Sequence, residues 1–189
     1  TVDEARHFSR VAKKLKRNVN AHVKVDTGMG RLGVTAAQAS ELLDAIVRLP
    51  NLSAEGLYTH YASAENDAKF SNQQLSQFKK LIRALDAAGH TFKHIHVNNS
   101  AALLYEPRTI YNLARPGLLV YGVLPDGRRR PPTDVKINLR PALSWKCRVS
   151  LVKEITQGTP LSYGNSFIAP RRMRVATLTA GYGDGYLCS

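Results

Sequence analysis

The chain has 189 residues, 43% hydrophobic and 22% charged, which is enough to bury a core in one or two domains and too apolar for a disordered chain. Its net charge of +13 invites a nucleic-acid reading, yet residues 126 to 189 hold eleven Lys and Arg against four Asp and Glu while the first 125 hold sixteen against ten. The densest basic run, Arg128-Arg129-Arg130, has no interleaved aromatic residues to stack bases, so a solvated linker is preferred to an anion- or RNA-binding patch.

In chain order, residues 2 to 15 place Val2, Ala5, Phe8, Val11, Ala12 and Leu15 at helical spacing, with an acidic start and a basic end. The start TVDEARHFSR lacks the apolar core of a signal peptide, and no apolar stretch is long enough to span a membrane, so a cytoplasmic protein is expected. AHVKV (21 to 25) predicts a short strand. Thr35 can cap a helix over 36 to 49, where Leu42, Leu43, Ile46 and Val47 share a face and Pro50 lies beyond the end. AEGLYTHYA (54 to 62) predicts strand and loop, residues 70 to 89 a long amphipathic helix closed by Gly89, and HIHV (94 to 97) another strand. Strands recurring about every 35 residues with helices between them argue for parallel pairing, because parallel neighbours need a helix-sized crossover. A barrel and an open doubly wound sheet both satisfy that pattern.

Beyond Leu124 the texture changes. Residues 125 to 141 hold four of the nine prolines and no helical period, and so predict a connection. ALSWKCRVSLVKEI (142 to 155) and RRMRVATLTAGY (171 to 182) predict antiparallel strands around a turn-rich stretch. The expected organisation is an α/β domain over 1–124, a linker over 125–140, and the beginning of a β domain over 141–189. Cys147 and Cys188 have neither metal-ligand spacing nor the density of a disulfide framework and read as reduced thiols. No metal site is expected.

In α/β sheets and barrels, the loops after the carboxyl ends of the strands form the site. Four such positions are well stocked here: Lys24, Asp26 and Arg31; Thr59 and His60; His96, Asn98, Asn99 and Ser100; and Arg115, Gly117 and Leu118. NNSAALL and RPGLL each suggest a place where a hydroxyl and backbone N–H groups could meet a phosphate, although capping and turn formation explain both without a ligand.

These residues carry a family resemblance. VKVDTGMGRLG, GLYTHYASAEN, HVNNSAALL, ARPGLLVYG, LSYGNSF and AGYGDGY occur in the order and approximate spacing of the bacterial alanine racemases, fold-type III pyridoxal phosphate enzymes, and the likeness spans nearly the whole chain. The resemblance implies the second half of a (β/α)8 TIM-type barrel followed by the beginning of a β domain, in a cytoplasmic homodimer that makes D-alanine for peptidoglycan. The family's cofactor-binding lysine lies in a motif like VKANAYGHG, which these residues do not contain, so this stretch alone is expected to be inactive in racemisation. Lys24 matches a different family lysine, one often carbamylated.

By the same resemblance, Arg31 holds the substrate carboxylate and the cofactor's phenolic oxygen, with a carbamylated Lys24 orienting it. Arg115 faces the pyridine nitrogen of the cofactor. As arginine keeps its proton, it donates a hydrogen bond there without protonating the ring. His60 links Arg115 to the catalytic tyrosine, Tyr182, and Ser100 with the backbone at Gly117 and Leu118 forms the phosphate site. A phenol with an ordinary pKa of about 10 can act as a base near neutrality only beside groups that favour its anion. A serine-preferring or broad-specificity racemase and a non-catalytic pyridoxal phosphate-binding barrel protein are the alternatives.

Overall fold

The computed structural model describes residues 1–106, 111–128 and 137–186. Cys188 and the middle of the expected linker, including Arg129, Arg130, Pro131 and Pro132, lie outside the described residues; Cys147 is an exposed free thiol. The chain forms two compact units, Thr1–Ala142 and Leu143–Ser189.

The first unit alternates helix and strand. Helix α1 (Val2–Lys14) begins in a capping box between Thr1 and Glu4, with Asp3 and Glu4 in its first turn and Lys13 and Lys14 in its last, an arrangement that favours the helix dipole at both ends. Strand β1 (Val19–Lys24) starts two residues before the expected AHVKV because Val19 and Asn20 pair with Leu52 and Ser53, and Ser53 Oγ donates to Asn20 Oδ1 across the ladder at 2.7 Å. Helix α2 (Ala36–Val47) buries Ala39, Leu42, Leu43 and Ile46. Its start is tied by Gln38, whose Oε1 accepts from both the N–H and the hydroxyl of Thr35. Strand β2 (Leu52–Tyr58) leads to helix α3 (Ala68–Ala87), capped by Asp67 and followed by Gly89 in a left-handed conformation. Then come strand β3 (His94–His96) and the short helices α4 (Ser100–Tyr105) and α5 (Gly117–Val120).

Strands β1, β2 and β3 form a parallel sheet in that order. Val23, Val25, Leu57 and Val97 face the helices and join Leu42, Leu43, Ile46, Phe78, Leu81 and Leu85 in one core. The expected fourth strand before Arg115 is reduced, among the described residues, to a parallel bridge between Arg115 and Asn99. At this edge of β3 the contacts come from Asn112. Its Oδ1 accepts from Ile95 N–H at 2.9 Å and its Nδ2 donates to Lys93 C=O at 2.6 Å, so a side chain takes backbone groups that a ladder would use.

Two hydrogen bonds hold the chain near the ends of the expected linker. Arg128 N–H donates to Asn66 Oδ1 at 2.9 Å, and Ala142 N–H donates to Tyr121 C=O at 3.0 Å. The described ends of the expected linker are grouped with the first compact unit, Thr1–Ala142, and Arg128 is exposed there.

In the second unit, strand β4 (Val149–Ile155) pairs antiparallel with β7 (Met173–Leu178), and β5 (Pro160–Leu161) pairs with β6 (Phe167–Ile168). The antiparallel expectation for the two longer strands holds, although β4 is shorter than the stretch 142 to 155. No described helix is long and apolar enough to cross a membrane.

Candidate active site

The loop after β1 is built around one carboxylate. Asp26 Oδ1 accepts from the N–H groups of Gly28, Met29 and Gly30 at 2.9, 2.9 and 3.1 Å, and these bonds hold its carboxyl below the usual range. Gly28 adopts φ +135°, and a Cβ there would lie 2.6 Å from Phe70 Cζ, so both conformation and space require glycine. Arg31 is exposed on this loop. Lys24 is pushed below its ordinary value by partial burial first and then by the Arg31 charge; Asp26 opposes that shift and Arg115 adds to it.

A buried polar clamp ties this loop to the one after β2. Thr27 and Thr59 share a hydrogen bond between hydroxyls at 2.7 Å. Gln74, fully buried on α3, donates from Nε2 to Thr27 Oγ1 at 3.2 Å and to His60 C=O at 3.1 Å, and its Oε1 accepts from Ala62 N–H at 3.0 Å. Helix α3 therefore fixes the backbone that carries His60.

Arg115 is the hub. Its Nη2 donates to the carbonyls of Thr59 and Val97 at 2.9 and 3.2 Å and lies 3.2 Å from His60 Nδ1, while Nη1 donates to His96 Nδ1. The guanidinium also lies 5.0 Å from the centroid of the Tyr58 ring. Burial, and then the Arg115 charge, push His60 and His96 down from 6.5 to about 4, so both rings are neutral at physiological pH. An always-protonated group thus sits against the His96 lone pair and two carbonyls, an arrangement that positions a donor without supplying an acid.

Beside this hub lies a cavity of about 350 Å³ lined by His60, Glu65, Asn99, Ser100, Ala101, Arg115, Gly117, Leu118, Pro125 and Asp126. Asn99 caps α4, accepting from Ala102 N–H at 2.8 Å, and Ser100 Oγ accepts from Leu119 N–H at 3.2 Å, which leaves the serine hydroxyl hydrogen to donate. A Cβ at Gly117 would meet no heavy atom within 4 Å, so the approach to its backbone is open. Ser100, Gly117, Leu118 and Arg115 line one space, with the Gly117 N–H donating to Arg115 C=O at 3.0 Å.

The structure therefore brings His60, Ser100, Arg115, Gly117 and Leu118 together in one cavity. Lys24 lines a different space, with His22 and Tyr58, and Arg31 stands on the loop above β1. Tyr182 belongs to the second unit, where it opens a 3₁₀ turn over Tyr182–Asp184 and is 72% exposed. Sequence reasoning missed Tyr58, His22 and Gln74. The first two were findable by alternation, since Tyr58 is two residues before His60 and His22 two before Lys24; Gln74 gave no signal beyond its place on a helix.

The family model "Alanine racemase, N-terminal domain" matches residues 1–125, and "Alanine racemase, C-terminal domain" matches residues 142–189. The chain is 38% identical over 186 residues to alanine racemase of Syntrophobacter fumaroxidans and 40% identical over 174 residues to that of Carboxydothermus hydrogenoformans, covering 98% and 92% of this chain but 48% and 46% of those proteins. Among solved structures, alanine racemase from the D-cycloserine producer Streptomyces lavendulae superposes with a TM-score of 0.75 at 31% identity, over 97% of this chain and 48% of that one. The alanine racemase of Clostridium difficile gives a TM-score of 0.75 at 30% identity, over 99% and 48%. The chain spans about half the length of the curated relatives it matches. With both family domains matched in order around this constellation, the chain belongs to the alanine racemase family.

Proposed function

We propose that this chain is part of a pyridoxal phosphate-dependent alanine racemase that interconverts L- and D-alanine, and that it supplies the cofactor cradle and one of two proton-transferring groups. The observation that carries this reading is Arg115, which reaches His60 and His96 beside the cavity of Ser100 and Gly117. Ser100 Oγ–H and the backbone at Gly117 and Leu118 would hold the phosphate, and Arg115 would donate to the ring nitrogen. When bound, the cofactor supplies an electron-withdrawing ring that weakens the Cα–H bond of the amino acid.

The chain's own residues then divide the work. Arg31 grips the substrate carboxylate, which suits a planar, bidentate donor. Carbamylation of Lys24 turns a repulsive lysine–arginine pair into an attractive one, and the lowered pKa of Lys24 favours the neutral amine that such a reaction needs. Arg115 stays a donor and so keeps negative charge on Cα short-lived. His60 lies beside Arg115 on the cradle side, and Tyr182, serving the site of the other subunit, takes or returns the Cα proton on one face; a lysine outside these 189 residues serves the other face. In this reading residues 1–124 are the second half of a TIM-type barrel, 125–140 a linker and 141–189 the opening of the β domain, within a cytoplasmic homodimer making D-alanine for the cell wall.

The test is the full-length protein given L-alanine, D-alanine and L-serine in turn, with optical rotation followed over time. Racemisation of both alanine enantiomers, strictly dependent on added pyridoxal phosphate and faster than that of serine, is expected. No racemisation of alanine by cofactor-loaded protein would contradict the reading, and preference for serine would change the substrate.

A further inference from the structure

Opposite the helix-packed face of the sheet, the side chains stand in two rows. In the strand register His22 is beside Gly56 and Gly56 beside His94; two residues on, Lys24 is beside Tyr58 and Tyr58 beside His96. Because Gly56 has no side chain, the rings of His22 and His94 close over it and stack, with centroids 5.6 Å apart and planes at 21°. A Cβ at Gly56 would lie 2.5 Å from His22 Nδ1, so this glycine marks a close approach. The gap lets His22 Nδ1 come within 2.7 Å of His96 Nε2, across 74 residues of sequence.

The positions of the protons follow from valence. Arginine has donors only, and Arg115 Nη1 meets His96 Nδ1, so that nitrogen offers a lone pair. A neutral His96 then carries its proton on Nε2 and donates it to His22 Nδ1, which leaves the proton of His22 on its own Nε2. The opposite tautomer of His96 would set N–H against N–H at Arg115. Stacking on Tyr58, with centroids 4.7 Å apart and planes at 10°, holds the plane of the His96 ring. Stacking is indifferent to which nitrogen bears the proton; the bond to His22 decides that.

We propose that His22 is a positioning residue for Arg115: by accepting from His96 Nε2 it locks the tautomer whose Nδ1 receives one arm of the guanidinium, and Gly56 is the gap that makes this contact reachable. The other arm is held by the carbonyls of Thr59 and Val97. Without the lock, Arg115 is held on one arm only. The consequence for the cofactor rests on the proposed racemase reading, whereas the tautomer does not.

The experiment uses the full-length protein, with and without pyridoxal phosphate, and reads the imidazole and guanidinium nitrogens by ¹⁵N NMR. In wild type, His96 should be protonated at Nε2 and bare at Nδ1, and the Arg115 N–H signals should be resolved and slow to exchange. His22→Leu removes the acceptor, and Gly56→Ala independently pushes the His22 ring away. Both should mix the His96 tautomers, broaden the Arg115 signals and weaken pyridoxal phosphate binding about tenfold. His22→Asn, whose amide oxygen can stand where Nδ1 stood, should restore all three. A wild-type His96 protonated at Nδ1, or His22→Leu and Gly56→Ala proteins with tautomer and Arg115 signals unchanged, would overturn the proposal. Tautomer and Arg115 signals that shift as expected in a protein that binds no pyridoxal phosphate would support the role of His22 and overturn the cofactor reading instead.

Discussion

The two units spend similar apolar side chains very differently. In the first, Val25, Leu57 and Phe78 are fully buried in a shared core, and in the second only Ile155 and Ala169 are buried among the described residues. Leu143, Trp145, Val149, Leu151, Phe167, Ile168 and Leu178 of the second unit stay exposed. The difference is one of layers. A parallel sheet with helices against it encloses its own apolar face, while two separate two-stranded sheets have no second layer to enclose. The unit with the core is also the one that holds a cavity with an immobilised arginine, as site geometry needs a packed support. Tyr182 sits on the unit without such a core.

The sharpest way to break this contrast is a matched pair of truncations. Leu57→Ala in β2 should lower the unfolding free energy of the first unit by about 3 kcal/mol, because it deletes a fully buried side chain and leaves a cavity. Leu151→Ala in β4, at a position 53% exposed, should change stability by less than about 0.5 kcal/mol. Urea titrations followed by circular dichroism for the helices, and by the fluorescence of the single tryptophan, Trp145, separate the units. Equal effects from the two substitutions would mean that the second unit has a core of its own.

A smaller effect comes from acid. His60 and His96 have pKa values lowered from 6.5 to about 4, so in that window the unfolded chain binds protons that the folded first unit refuses. Stability rises with pH wherever the unfolded state binds more protons. The stability due to these neutral rings is thus fully present above pH 6.5 and is lost as pH falls towards about 4, with a slope approaching two protons. Asp26, also depressed, adds its loss only below its ordinary value of 3.8. Urea midpoints for the helical signal measured from pH 7 to 4 check this, and a flat profile would contradict the neutral assignment.

Much of the first unit was legible in the sequence because its causes are local. The acidic and basic ends of α1, the shared face of Leu42, Leu43 and Ile46, and the glycine-rich loop after β1 each follow from residues a few positions apart. Thr59, His60, Ser100 and Arg115 are legible in the same way, as polar residues that directly follow strand signals. The remainder depended on distant partners. Val19 and Asn20 are polar-flanked and join β1 only through Leu52 and Ser53. Asn112 bonds β3 with its side chain, and His22 reaches His96 because a glycine on the intervening strand gives way. Nothing near those residues in sequence announces their partners.

The central claim is that the cofactor cradle belongs to the first unit and one proton-transferring group to the second, and Tyr182→Phe in the full-length protein tests it most directly. The measurement is pyridoxal phosphate binding together with exchange of the Cα hydrogen of L- and D-alanine in deuterated water. The account predicts unchanged cofactor binding, racemisation lower by about 10² to 10⁴-fold in both directions, and exchange retained for only one enantiomer, the one whose hydrogen faces the lysine. Exchange rates near wild type for both enantiomers, or loss of the cofactor, would contradict it.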